Sequence, residues 1–263
     1  MNLDIEDLCF SYRDKPVLDG ITLNIVPGEV IGIIGPNGCG KTTLLKHLNR
    51  NLDPNAGRVL LGGADIEEMK KSEIARHIAV VPQSNEINFS FTVRDIVTMG
   101  RMPFLERFQG ESSSDLNKVE DAMKKANISD FADRYINTMS GGERQRVIIA
   151  RALAQTPEII LLDEPTLHLD ISNQFDVLDL VKKLSDEDGL TVVIVSHDLS
   201  MVVRYCDRIV MLKDQKIFAV GEPEEVLTPD NMKEIFNVDA VLEKDTVTGQ
   251  NTVRIFGSCT KQN

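Results

Sequence analysis

Apolar and polar positions alternate in "LDIEDLCFSY" (residues 3–12) and again in "ITLNIV" (21–26), the period of two that predicts half-buried strands. "GRVLLGGADI" (57–66) and "IAVVPQ" (78–83) predict more strand, so the chain begins β-rich. Three other runs are apolar without alternation: "EVIGII" (29–34), "PEIILLDEP" (157–165) and "LTVVIVSHD" (190–198). Runs of that kind belong to parallel strands buried on both faces. The stretch "LLKHLNRNL" (44–52) and most of residues 90–153 instead repeat their apolar positions at helical spacing. "GESSSD" (110–115) reads as a loop ending in a helix cap before "LNKVEDAMKKANI". Strands alternating with helices imply an α/β core, interrupted by a mostly helical lobe. Beyond residue 222, "EPEEVLTPDNMKEIF" predicts short helices, and "AVLEKDTVTGQNTVRIF" two strands around a Thr-Gly turn.

Chemistry concentrates where these strands end. "GPNGCGKTT" joins the strand ending at Ile34 to the next helix: Gly35, Pro36, Asn37, Gly38, Cys39, Gly40, Lys41, Thr42 and Thr43. The spacing G-x-x-x-x-G-K-T brings backbone N–H groups and a helix N-terminus to bear on one anion, with Lys41 for the β- and γ-phosphates and the Thr42 hydroxyl for magnesium. Asp163 and Glu164 follow the buried run 159–162, at the strand end where open α/β sheets hold ligands. Asp163 is expected to support magnesium and Glu164 to orient or deprotonate water. Ser196 and His197 end a further buried strand, and Gln83 follows another; Gln83 is a candidate for contact with water or metal. In "MSGGERQRVIIARALAQ", Ser140, Gly141, Gly142 and Glu143 open a long amphipathic helix whose apolar face includes Val147, Ile148, Ala150 and Leu153. A second anion-ready helix end is more than one nucleotide needs from one chain, and suits two chains sharing it.

Composition narrows the setting. The net charge of −12 argues against nucleic-acid binding and means that ATP must be held by local donors. No apolar run reaches membrane-spanning length and the first residues do not read as a signal peptide, so a cytoplasmic location is expected. Cys9, Cys39, Cys206 and Cys259 lie far apart, which suits reduced thiols.

Taken in order, "GPNGCGKTT", Gln83, "SGGERQ", "LLDEPT", "HLD" and His197 resemble the nucleotide-binding subunit of an ATP-binding cassette transporter, over nearly the whole length. The resemblance implies a RecA-like P-loop NTPase core (residues 1–83 and 154–221) carrying an N-terminal antiparallel β subdomain. It also implies an inserted helical subdomain (84–153) and C-terminal helices and hairpin (222–263), all within one domain. It implies ATP and Mg²⁺, with Tyr12 stacked on adenine, Lys41 and Thr43 on phosphates, and Thr42, Gln83 and Asp163 near the metal. Glu164 would be the base, with His197 on the γ-phosphate. Ser140, Gly141, Gly142 and Glu143 would meet the ATP of a second copy in a head-to-tail dimer, and Asp170 would link the two sites.

"TVRDIVTMGRMPF", "HLDISNQ" and "GEPEEVLTPDNMKEIFNVD" are similar to importers of iron-siderophore, haem or cobalamin complexes. The implied partners are membrane permease subunits and, indirectly, a substrate-binding protein, with the chain on the inner face of the membrane. A soluble, non-transport ATPase of the same superfamily, such as one serving iron–sulfur cluster assembly, is the alternative. The chain departs from the pattern at Met139, for leucine, and at Cys39, for serine or alanine; Cys39 is either an inert thiol, the reading slightly favoured, or one whose pKa is depressed beside Lys41 so that hydrolysis is thiol-sensitive. Phe89, Phe91, Phe104 and Phe108, mixed with Arg94, Arg101 and Arg107, are candidates for either lobe core or an exposed docking groove.

Overall fold

A computed structural model describes residues 1–83, 90–105 and 110–259. The strands are β1 (Leu3–Tyr12), β2 (Lys15–Ile25), β3 (Val30–Ile34), β4 (Ala56–Leu61), β5 (Ala64–Asp65), β6 (Ile78–Val81), β7 (Ile159–Asp163), β8 (Thr191–Val195), β9 (Arg208–Lys213), β10 (Lys216–Gly221), β11 (Val238–Lys244) and β12 (Asn251–Ser258). The helices are α1 (Lys41–Leu48), α2 (Lys71–His77), α3 (Val93–Thr98), α4 (Ser113–Lys125), α5 (Gly141–Ala154), α6 (Ile171–Asp188), α7 (Leu199–Tyr205), α8 (Pro223–Val226) and α9 (Pro229–Phe236).

An antiparallel sheet of order β2-β1-β4-β5 lies over a six-stranded sheet of order β10-β9-β3-β8-β7-β6, in which β9, β3, β8, β7 and β6 run parallel. The apolar runs explain the second sheet. Every residue of β3, β7 and β8 is buried, because each strand has both faces covered. One face, carrying Ile31, Ile33, Leu161, Val193 and Val195, packs with α1 against the antiparallel sheet. The other face, carrying Ile34, Leu162, Val192 and Ile194, packs with α3 to α7 and with the C-terminal elements in one continuous core.

Local details depart from simple patterning. In β1 the buried residues are Leu3, Ile5, Leu8 and Phe10, and the step from Ile5 to Leu8 breaks the period of two. A register shift there, with Asp7 at a positive φ of 48°, returns the next apolar residues to the core. The helix expected after "GESSSD" begins inside it. Ser112 accepts a hydrogen bond from Asp115 N–H, and Asp115 accepts one from Ser112 N–H, so this reciprocal cap starts α4 at Ser113.

The aromatic docking groove is corrected in part. Phe91 packs against the core, and Phe104 lies beneath Arg101, whose guanidinium carbon is 3.8 Å from the ring centre. Arg101 is itself buried, holding Asp115 at 2.9 Å and the Ala154 carbonyl at 2.7 Å, while Arg94 pairs with Glu120. These residues tie the helical lobe together. Phe89, Phe108 and Arg107 lie outside the described residues.

Candidate nucleotide site

Parallel strands deliver all their carboxyl ends to one edge of the sheet, so the chain segments leaving β3, β6, β7 and β8 meet there. From β3 the chain enters the glycine loop and then α1. Gly40, immediately before α1, takes φ 105°, and a Cβ there would sit 2.7 Å from the Val17 carbonyl of β2. Only glycine satisfies both the left-handed backbone and the close approach. Lys41, buried, donates to the Gly35 carbonyl at 2.8 Å and the Pro36 carbonyl at 3.1 Å, which holds its ammonium within the loop.

β7 ends in the acid pair, and the backbone separates the two carboxylates. Asp163 remains in the strand, whereas Glu164 takes a positive φ of 50° while its N–H donates to the Val195 carbonyl at 2.9 Å. A non-glycine residue in this region is strained and is held by its surroundings. Asp163 accepts a hydrogen bond from the Thr42 hydroxyl at 3.1 Å. Burial pushes the Asp163 carboxyl up and the adjacent Glu164 charge adds to that, while the Thr42 hydroxyl and the charges of Lys46 and Lys41 pull it back. Glu164 lies 3.1 Å from Nδ1 of His197, at the end of β8. An ionised carboxylate only accepts, so the facing nitrogen carries the proton.

Lys41, Thr42, Thr43, Asn37, Gly38, Gly40, Gln83, Glu164 and Tyr12 line one open cleft of about 320 Å³, together with Val17. Tyr12 is 45% exposed and stands at its rim on β1. Val17 carried no chemical signal in the sequence; it enters because β2 passes behind Gly40. Magnesium chemistry fits these groups, since a buried carboxylate beside a hydroxyl is an oxygen pair of the kind that holds the ion together with phosphate oxygens.

Of the two readings of Cys39, the inert thiol is the one its surroundings favour. It is buried, and burial pushes its pKa up more than Lys41 draws it down.

Ser140, Gly141, Gly142 and Glu143 are not among the residues lining this cleft. They form the start of α5, where Ser140 accepts from Glu143 N–H at 3.3 Å and the Glu143 carboxylate accepts from Ser140 N–H at 2.7 Å. That cap holds the Glu143 carboxyl below its ordinary range. A Cβ on Gly142 would overlap the Asn173 side chain. Asn173 in turn donates to both oxygens of Asp170, at 2.8 and 2.9 Å, and Asp170 caps α6 through the Asn173 N–H. Asn173 therefore joins Gly142 to Asp170. Its spacing, three residues after a capping Asp, is the only sequence trace of this contact.

Residues 18–167 match the family described as ABC transporter. The cobalamin import ATP-binding protein of Halobacterium salinarum is 40% identical over 253 residues, 96% of this chain, and the chain spans 63% of that relative's length. The iron(3+)-hydroxamate import ATP-binding protein of Bacillus subtilis is 37% identical over 249 residues, 95% of this chain and 93% of that protein. Among solved structures, a metal-chelate type ABC transporter in an inward-facing conformation superposes with a TM-score of 0.85 at 30% identity, covering 97% of this chain and 96% of that one. A dimeric bacterial ABC transporter cassette superposes with a TM-score of 0.72 at 32% identity, covering 84% and 98%. With its glycine loop, strand-end acid pair and helix-capping S-G-G in a fold shared with these cassettes, the chain belongs to the ABC transporter family.

Proposed function

We propose that this subunit powers an importer of a metal chelate such as an iron-siderophore, haem or cobalamin complex. In this reading it works from the inner face of the membrane as a head-to-tail dimer. The observation that carries the reading is the division of the ATP groups between two places on one chain. Tyr12, Lys41, Thr42, Gln83 and Glu164 share a cleft, whereas the start of α5 lies outside it beside Asn173. The open cleft would be closed by Ser140, Gly141 and Gly142 of a second copy.

Within the cleft, Tyr12 would stack on the base, and Lys41 and Thr43 would bind the phosphate tail. Thr42, Asp163 and Gln83 would hold magnesium, which neutralises phosphate charge when bound. Glu164 would accept the proton of the attacking water, with the His197 ring fixing its carboxylate and reaching the γ-phosphate. ATP bound between two copies stabilises the dimer, and loss of the γ-phosphate removes contacts from both.

A second groove supports a membrane partner. About 500 Å³ in volume, it lies between α2 and β6 on one side and residues 99–102 with the end of α5 on the other. Met102 is 67% exposed there, and Arg151 lines the wall. Burial lowers the Arg151 pKa, so a partner's carboxylate or helix-end carbonyls would be favoured. No described helix is long and apolar enough to cross a membrane. The test is to tag the chain at native expression, solubilise membranes in mild detergent and identify what co-purifies in comparable amount. A polytopic membrane protein is expected; only soluble partners would reassign the chain to the non-transport ATPases.

A further inference from the structure

Tyr12 is exposed at the cleft rim, and nothing so far explains what holds its ring in place. Its support is another ring. Phe10, two residues back on the same face of β1, meets Tyr12 edge to face, with centroids 4.8 Å apart and planes at 88°. Phe10 also meets His47, with centroids 4.6 Å apart and planes at 67°. Edge-to-face pairs fix relative orientation as well as area, because the positive rim of one ring seeks the negative face of the next.

His47 sits on α1, the helix whose first residues are Lys41, Thr42 and Thr43. It is 1% exposed, and neither ring nitrogen has a hydrogen bond of ordinary geometry among the described residues. A buried imidazole so weakly satisfied costs stability relative to an aliphatic side chain, so its presence asks for a reason. The ring contact to Phe10 supplies one. We propose that His47 is a positioning residue for the nucleotide base: through Phe10 it sets the Tyr12 ring at a fixed distance from the phosphate loop. One short helix then carries the phosphate donors at its start and the support for the base platform near its end. Phosphate and base sites, which lie on different sheets, are thereby held in register.

This inference rests on the placement of Tyr12 against the base. The two are separated by measuring calorimetric binding of MgATP and of magnesium tripolyphosphate, which has the phosphates but no base, to the purified full chain. Tyr12→Ala is expected to weaken MgATP by about tenfold, the order of an aromatic–base stack, and to leave tripolyphosphate unchanged. His47→Ala is expected to weaken MgATP by about threefold, again without effect on tripolyphosphate, and His47→Phe to restore it. Phe10→Leu, which removes the middle ring but keeps an apolar core residue, is expected to reproduce the selective loss if His47→Ala does not yield folded protein.

Equal weakening of both ligands by His47→Ala would mean that the residue merely supports α1, and would overturn the proposal. So would a selective loss in Tyr12→Ala with none in His47→Ala or Phe10→Leu, which leaves the Tyr12 platform standing. No loss in Tyr12→Ala would remove the platform itself, and the proposal with it.

Discussion

Glu164 shows how one backbone torsion assigns chemistry. The strand directs Asp163 to the Thr42 hydroxyl, and the left-handed turn of Glu164 brings its carboxylate to His197. Removing the basic oxygen while keeping its shape isolates the proton-transfer role. Glu164→Gln is therefore expected to bind MgATP normally, to hydrolyse it ~10²–10⁴-fold more slowly, and to accumulate as a dimer by size exclusion. Turnover within a factor of a few of the parent would take the base role away from Glu164. His47 makes a different prediction, through pH. Burial holds its pKa below the ordinary value, while the Leu52 backbone and the Asp53 charge oppose this only in part. The unfolded chain then binds the proton more readily than the folded one, so stability is full above the unfolded pKa of about 6.5 and falls as pH drops below it. His47→Phe keeps the ring and lacks the titration. Its urea midpoint, compared with the parent's between pH 7.5 and 5.5, is expected to fall less. The acid pair and glycine loop were legible in the sequence because their chemistry is carried by residue type and spacing. Phe10, His47 and Val17 were not, since each matters only through which strand lies over α1.

At the scale of elements, apolar runs and caps announced most of the architecture. The fully buried strands β3, β7 and β8 were plain because a run without polar interruption has few other stable placements. The start of α4 was misplaced because any of three consecutive serines could cap, and only the reciprocal bond between Ser112 and Asp115 decides among them. Beyond the spacing of Asn173 after Asp170, the contact between α5 and α6 left no trace in the sequence: Gly142 and Asn173 are 31 positions apart and meet only once both helices pack on the sheet. That contact gives the element-scale prediction. In Gly142→Ala the new methyl must displace the Asn173 side chain, and its two amide bonds to Asp170 are lost or α5 shifts, at a cost of about 1–3 kcal/mol in stability. Asn173→Ala removes the two closest atoms, Oδ1 and Cγ, and leaves only its Cβ, 2.7 Å from the new methyl, to be eased by a small shift. The double variant is thus expected to recover part of the loss, a coupling read from four denaturation curves. Strict additivity would mean that the two helices do not communicate here.

For the molecule as a whole, α5 is the element that joins the two proposed interfaces. Its first residues, after the Ser140 cap, would meet a second copy's ATP; Arg151 and Ala152, near its end, line the groove assigned to the permease. At 14 residues the helix spans roughly 20 Å, and its buried face of Val147, Ile148, Ala150 and Leu153 packs into the continuous core. A body so packed moves as a unit. Displacement of its start by a second copy's nucleotide, as proposed, would then reach the groove without any change inside the helix. Met102 offers a way to test the far end alone, because it is exposed in the groove and is not among the residues lining the proposed ATP cleft. Met102→Glu replaces an exposed apolar contact with a carboxylate that would compete for Arg151 in the same groove, and folding should tolerate it at so open a position. Permease recovered in detergent with Met102→Glu is expected to fall at least severalfold, while the MgATP affinity of the purified subunit stays within twofold of the parent. Undiminished recovery would place the permease on another face, and a parallel loss of MgATP binding would show that the groove and the cleft are not the separate ends of one lever.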